Sequence, residues 1–361
     1  MMRAFHFLLL IVALLASACA PSSEVASSDV ADSEPVVVVD ESAVTDSDAP
    51  ADVVTLAEAW ETGRTPDANV DSVAVWYAPE GADYLLATGK ETHQLIVYDA
   101  ATGETLRTVG REGDAMKQLR RPNGVLVLGD LALVVERDNH RVQVFALPSF
   151  ESLGTFGEQE LVYPYGITGE PIVDEGYRLY VTDNYELGGD VADERVEVFD
   201  LYLDGDDLVV EPVLTFGNDS DLTQVETLVV DPAHEHLVIA DEADRLIRLY
   251  EVSGRATGRG IDDGHFRNEP EGIALYECGD RGWWVMTDQH DDVSYFHVFD
   301  RVSLEHRGVF MGELTAKTDG VTVGRASTEA FPEGAFYAVN ADQSVTAFDW
   351  RDIATAFDLT C

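Results

Sequence analysis

From residue 71 to the end of the chain, short runs of alternating apolar and polar residues recur at intervals of roughly 40 to 60 positions, separated by turn residues. Each repeat opens on a small or polar residue followed by an apolar run: DSVAVW from Asp71, NGVLVL from Asn123, YGITG from Tyr165, ETLVV from Glu226, EGIAL from Glu271 and DGVTV from Asp319. Second runs follow as YLLATG, LALVVE, RLYVTD, HLVIAD, WWVMTD and FYAVNA. Third runs are QLIVYD, RVQVFA, RVEVFD, RLIRLYE, YFHVFD and SVTAFD. Their β-branched and aromatic content suits half-buried antiparallel strands. Ala101-Thr102-Gly103, Leu203-Asp204-Gly205-Asp206 and Ser253-Gly254 carry the chemistry of hairpin turns. Six copies at this spacing predict an all-β fold, a six-bladed β-propeller of four-stranded antiparallel blades.

The first 55 residues follow a different pattern. Residues 1–18 read as a signal peptide, with Arg3, an apolar run over 7–15 that is too short to span a bilayer, and the small residues Ala16-Ser17-Ala18. Cys19 follows directly, and LLASAC resembles a bacterial lipobox, which implies lipidation of Cys19. The stretch 20–55 holds no aromatic and no basic residue, a composition that cannot bury enough apolar surface to offset ordering entropy. The expected organisation is a signal peptide over 1–18, a lipidated cysteine and acidic linker over 19–55, and a propeller over 56–361. The product belongs at the cell envelope, anchored by lipid to a bacterial membrane or secreted.

Charge narrows the partners. Against 23 Lys and Arg stand 68 Asp and Glu, a formal net charge of −45. Phosphate backbones are bound through basic clusters that are absent here, so nucleic acid is excluded as a partner. The membrane is reached only through the N-terminal lipid, and the chain is expected to act as a monomer. Of the three cysteines, Cys278 and Cys361 remain beyond Cys19, an even number that permits a disulfide in an oxidising compartment. Zinc-finger, P-loop and serine-hydrolase motifs are absent.

In a propeller the first strand of each blade lines the channel, so equivalent register positions meet at one mouth. Those positions are Asp71, Asn123, Tyr165, Glu226, Glu271 and Asp319, four carboxylates among six. Asp241 and Glu242 end the second run of the blade that holds Glu226, and Glu269 precedes Glu271 by two residues. Two carboxylates about 4 Å apart repel by about 4 kcal/mol at an effective dielectric near 20, so such a group either protonates or takes up cations. With only oxygen donors in the ring, Ca²⁺ is favoured over Zn²⁺.

These residues resemble the β-propeller phytase family, six-bladed calcium-dependent phosphatases, over about residues 71–357. The motifs are EPEGIALYECGDRGWWVMTDQ, TDGVTVG, FPEGAFYAVNAD and AFDWRDIA. The resemblance implies a phosphomonoester hydrolase of the myo-inositol hexakisphosphate type, acting on a phosphorylated small molecule such as phytate, with Ca²⁺ as cofactor. Matched position by position, VETLVV with IADEAD implies calcium carboxylates at Glu226, Asp241 and Glu242. Glu269, Glu271, Asp319 and Asp71 match further acidic ligands, and Glu226 and Asp319 would position water through calcium. Tyr165 in YPYGI matches a ligand tyrosine, and Arg121 in RPNGV a phosphate-side arginine; with Lys90 they form the expected substrate-binding set.

The chain departs from that family at informative places. Paired lysines are reduced to Lys90 in TGKETH, a further lysine gives way to VTDN ending at Asn184, and the glycine after the fourth-blade glutamate is Thr227. Fewer cations weaken binding of a polyanion. Arg137, Lys317 and His290 lie near strand ends, where lone charged residues are commonly surface features. TLRTVGREGDAMKQLRRPNGVLV followed by VERDNHRVQVF is similar to an NHL repeat, which covers one blade and implies a non-catalytic, calcium-stabilised binding propeller as the alternative. A calcium-dependent lactonase, also six-bladed, is a third.

Overall fold

A computed structural model describes residues 49–361, apart from 174–175, 184–195, 206, 218–221 and 262–263. The signal segment, Cys19, nearly all of the acidic linker and Asn184 lie outside the described residues.

The described strands form six sheets, five of four strands and one of five, each built mainly from one sequence repeat. The inner strands are Val70–Trp76, Pro122–Leu128, Pro164–Ile172, Leu228–Asp231, Glu269–Cys278 and Val321–Gly324, in blades one to six. The second strands are Tyr84–Gly89, Leu131–Glu136, Gly176–Asp183, His236–Asp241, Arg281–Gln289 and Ala335–Asn340. Third strands coincide closely with the third runs of the repeats, as in Gln94–Asp99, Arg141–Ala146 and Ser344–Asp349. The turn glycines Gly103, Gly205 and Gly254 have φ of 71°, 66° and 84°, a region that side chains disfavour.

The last repeat has three strands of its own, and Trp60–Glu61 from the start of the domain pairs antiparallel with Ser344–Asp349 as its fourth. This closes the ring and covers an edge that would otherwise be an unpaired template. Trp60 packs 5.7 Å from the Tyr337 ring, and its Nε1 donates to the Ala101 carbonyl of blade one at 3.0 Å. Val54–Leu56 adds a parallel fifth strand to blade five beside His306–Gly312, so pairing begins ahead of the expected boundary at residue 56. Between them Glu58 accepts the backbone amides of Glu313, Leu314 and Thr315 at 3.1, 3.0 and 3.0 Å.

Neighbouring blades bury apolar faces against each other, as where Leu85 and Tyr98 of blade one meet Tyr337 and Val345 of blade six. Burial of that kind is the main favourable term in folding. A short helix, Trp350–Ala356, ends the domain, capped by Asp349, which accepts from the Arg351 amide at 3.0 Å. Trp350 stacks on Tyr276 with centroids 3.8 Å apart. Cys278 and Cys361 form a disulfide with Cα atoms 5.2 Å apart, tying the C-terminus to the inner strand of blade five. A bridge across 83 positions removes about 4.5 kcal/mol of chain entropy from the unfolded state.

Candidate functional site

The site arises from a feature repeated at the start of the inner strands. Pairing with the second strand skips the register between Val70 and Val73, Pro122 and Val125, Pro164 and Ile167, and Pro270 and Ile273. Asp71, Asn123, Tyr165 and Glu271 each occupy this bulge, where the side chain is released from the regular pleat. The next residue is commonly glycine because neighbouring blades approach closely. A Cβ on Gly124, Gly166, Gly272 or Gly320 would lie 2.6, 2.1, 2.9 and 2.4 Å from the carbonyl oxygen of Tyr165, Glu226, Asp319 and Asp71, respectively. Each glycine thus meets the ring residue of the following blade, and Gly320 against Asp71 closes the circle.

The ends of the second strands do something different. Glu136, Asp183, Asp241, Asp288 and Asn340 are buried and accept amides from the segment entering their own blade. The donors include Arg120 at 3.1 Å, Val162 at 2.9 Å, Thr223 at 3.1 Å, Asn268 at 2.8 Å and Ala316 at 3.1 Å. Asp241 also receives Arg248 Nε at 3.1 Å. The structure therefore commits Asp241, expected as a calcium ligand, to holding the loop that enters blade four; its oxygens are spent on amides and a guanidinium. The side chain after it turns to the mouth, and the same step places Lys90, Glu242 and Gln289 there.

Glu226, Glu242 and Glu271 come together, with one carboxylate oxygen from each lying within 4.8 Å of the others. Glu242 and Glu271 are buried. Gln224 Nε2 donates to Glu242 Oε2 at 2.7 Å, whereas Oε1 is buried with no hydrogen-bond partner. Across the mouth, Lys90 Nζ lies 2.5 Å from Asp71 Oδ1 and 3.9 Å from Asp319 Oδ2, and it donates to Tyr165 Oη at 3.1 Å. Tyr165 Oη in turn donates to Asp71 Oδ1 at 3.2 Å. Gln289 Nε2 donates to Asp319 Oδ1 at 2.5 Å.

Burial, reinforced by the charges of Glu226 and Glu269, pushes the Glu242 carboxyl up to about 10. Burial, with Glu242 and Glu226 beside it, holds Glu271 well above the usual carboxylate range. Asp319 is pushed up to about 8 by burial and by Asp71, with Lys90 opposing. Burial disfavours the Lys90 ammonium, yet Asp71 and Asp319 outweigh it and raise its pKa. Burial and the surrounding carboxylates keep the Tyr165 phenol neutral. The mouth thus has a neutralised side around Lys90 and an acid-rich side on blades four and five.

The cation-binding fit can be judged from these atoms. Two oxygens bound to one Ca²⁺ at 2.3–2.6 Å can lie no more than about 5 Å apart, which the three glutamates satisfy. Glu242 Oε1, buried without a donor, is the group such an ion would satisfy. The donors are all oxygens, as a hard cation prefers.

Other expected residues sit apart. Glu269 is exposed, in register with Gln289, and its oxygens are not among the convergent three. Arg121 pairs with Glu91 at the entry to blade two. Arg137 pairs with Asp138 at 2.8 Å, Lys317 with Asp342 at 2.6 Å, and His290 Nε2 meets Asp288 at 3.2 Å. Gln224 and Gln289 were not anticipated as site residues. Gln289 was legible in principle, since it follows a second-strand end just as Lys90 and Glu242 do.

No family model matches the chain, and no curated protein matches it. Among solved structures it is similar to a chain of the nidogen/laminin complex, at 15% identity and TM-score 0.50, covering 72% of this chain and 88% of that one. It is similar also to hydrazine synthase of Kuenenia stuttgartiensis, at 16% identity and TM-score 0.51, covering 83% of this chain and 82% of that one. At such identities the likeness extends to the fold, a six-bladed β-propeller.

Proposed function

We propose that this propeller is a calcium-dependent phosphomonoester hydrolase acting on a phosphorylated small molecule such as phytate. The observation that carries the reading is the convergence of Glu226, Glu242 and Glu271 beside a buried lysine. These glutamates, with Asp319 adjoining, would hold the cation. Bound calcium supplies Lewis-acid polarisation of phosphoryl oxygens and acidifies a coordinated water. Lys90 stays protonated and offers its ammonium to a phosphate oxygen, while Asp71 and Tyr165 fix its position. Gln289 orients Asp319, and Gln224 orients Glu242. Phosphate release from phytate and from an aryl phosphate, measured with Ca²⁺ and again after chelation, tests the reading. Calcium-dependent release that disappears in Glu226→Gln supports it; release from neither ester at any calcium concentration overturns it.

One observation favours a second reading, a non-catalytic binding propeller in which the same ions are structural. The cations expected on the phosphate side, Lys90 and Arg121, are already engaged by Asp71 and Glu91. Calcium-dependent stability without turnover of phosphate esters or lactones would select it. The address is a separate proposal, that the chain is exported and lipidated at Cys19. Metabolic labelling with a radioactive fatty acid, retained by the wild type and lost in Cys19→Ser, is the expected result.

A further inference from the structure

Away from the mouth, three histidines from separate parts of the sequence converge on blade five. His265 lies in the segment entering the blade, His297 in the third strand, Ser294–Asp300, and His306 in the fourth, His306–Gly312. One ring nitrogen from each lies within 4.8 Å of the other two. His297 Nδ1 is 3.1 Å from His306 Nε2, and the His265 and His306 ring centroids are 4.1 Å apart. We propose that His265, His297 and His306 form a transition-metal site of the Zn²⁺ class, which fastens the segment entering blade five to that blade's outer strands.

Three features support this. Ligands on a tetrahedral zinc at about 2.0–2.1 Å are about 3.3 Å apart, close to the His297–His306 separation of 3.1 Å. A hydrogen bond between those two imidazoles would engage two rings only, whereas nitrogens of three rings, that of His265 included, converge within 4.8 Å, an arrangement that a single ion satisfies together. The surroundings also suit neutral imidazoles. His297 is 1% exposed, and Phe266 and Phe299 pack at 5.5 and 5.4 Å from the His297 and His265 rings. Burial of this kind favours an uncharged imidazole, the form that ligates a metal. Nitrogen donors discriminate against Ca²⁺, so this site and the glutamate mouth should take different ions.

The test uses the full-length protein stripped of metal and titrated with Co²⁺ or Zn²⁺ alone. The expected result is one tight equivalent of Co²⁺ with the visible absorption of a low-coordinate nitrogen site, displaced by Zn²⁺ and untouched by excess Ca²⁺. His306→Gln and His265→Gln, both at partly exposed positions, should lose that band while keeping native circular dichroism. Glu242→Gln should keep the band. Absence of binding in the wild type, or an identical band in His306→Gln, overturns the proposal. Because neither histidine variant alters the mouth, their phosphate-ester assay reports separately on the proposed hydrolase.

Discussion

Blades four and five are joined at both ends by buried acid, and the two ends solve the same electrostatic problem in opposite ways. At the end far from the mouth, Asp231 receives Arg301 through two contacts, Nη2 at 2.6 Å and Nε at 3.0 Å, and His234 Nδ1 at 2.9 Å. At the mouth, Glu242 and Glu271 face Glu226, and the charges pressing on them are negative. Burial raises the pKa in both places; Arg301 and His234 overcome it and lower Asp231, whereas the glutamates go up. Burial alone therefore does not mark a functional acid. What distinguishes the mouth is burial with the compensating charge left out, the pattern expected where a mobile ion supplies it.

The sharpest way to break the contrast is to make the far end resemble the mouth. Arg301→Met strands the Asp231 carboxylate in a buried site, for which a loss of about 3–5 kcal/mol is expected from urea unfolding. Calcium should not restore it, because the methionine side chain fills the space that the guanidinium occupies among Asp231, Glu277 and the Gly279 and Arg281 carbonyls. If calcium does recover the lost stability, the difference between the two ends is not one of ligand geometry.

A smaller effect separates two neighbours in sequence. Asp241→Asn weakens the charge-assisted bonds to the Thr223 and Gln224 amides and to Arg248, at a cost of about 1–3 kcal/mol. Calcium affinity, measured by isothermal titration, should stay near the wild-type value. A large affinity loss without a stability loss would return Asp241 to the ligand set.

Asp241 also shows where the sequence was legible and where it was not. The alternation of apolar positions revealed the six repeats and most strand boundaries, because a half-buried strand must present one face to its neighbouring blade. Register followed from the shared first residues, so Glu226, Glu271, Asp319 and Asp71 were placed at one mouth. The roles of the second-strand acids were hidden: Asp241 and Glu242 are both carboxylates, and only the alternation of the last two positions sends one to the entering loop and the other to the channel. Closure by Trp60–Glu61 was hidden as well, since two residues carry no periodicity. The histidines at 265, 297 and 306 come together through the pairing of the two outer strands and the packing of the entering segment on them, contacts that no spacing along the chain reveals.

The finest comparison is within the mouth itself, with and without calcium. In metal-free protein the raised carboxyls bind more protons folded than unfolded. The stability they contribute is complete below their unfolded values of 4.5 for Glu242 and 3.8 for Asp319, and it is lost as pH rises through about 8 for Asp319 and about 10 for Glu242. Asp231, being lowered, has the opposite sign: its contribution is present above 3.8 and lost as pH falls through its folded value. Thermal melts of chelated protein should therefore fall toward alkaline pH, and saturating Ca²⁺ should oppose the fall, because it binds the carboxylates more tightly once they are charged. Glu242→Gln replaces a carboxyl that is already neutral at pH 7, so its metal-free stability should lie within about 1 kcal/mol of wild type. Its alkaline slope should be shallower and its calcium-induced rise in Tm smaller. A Glu242→Gln protein that keeps the wild-type slope and the full calcium response would mean that Glu242 is not where the proton and the ion compete.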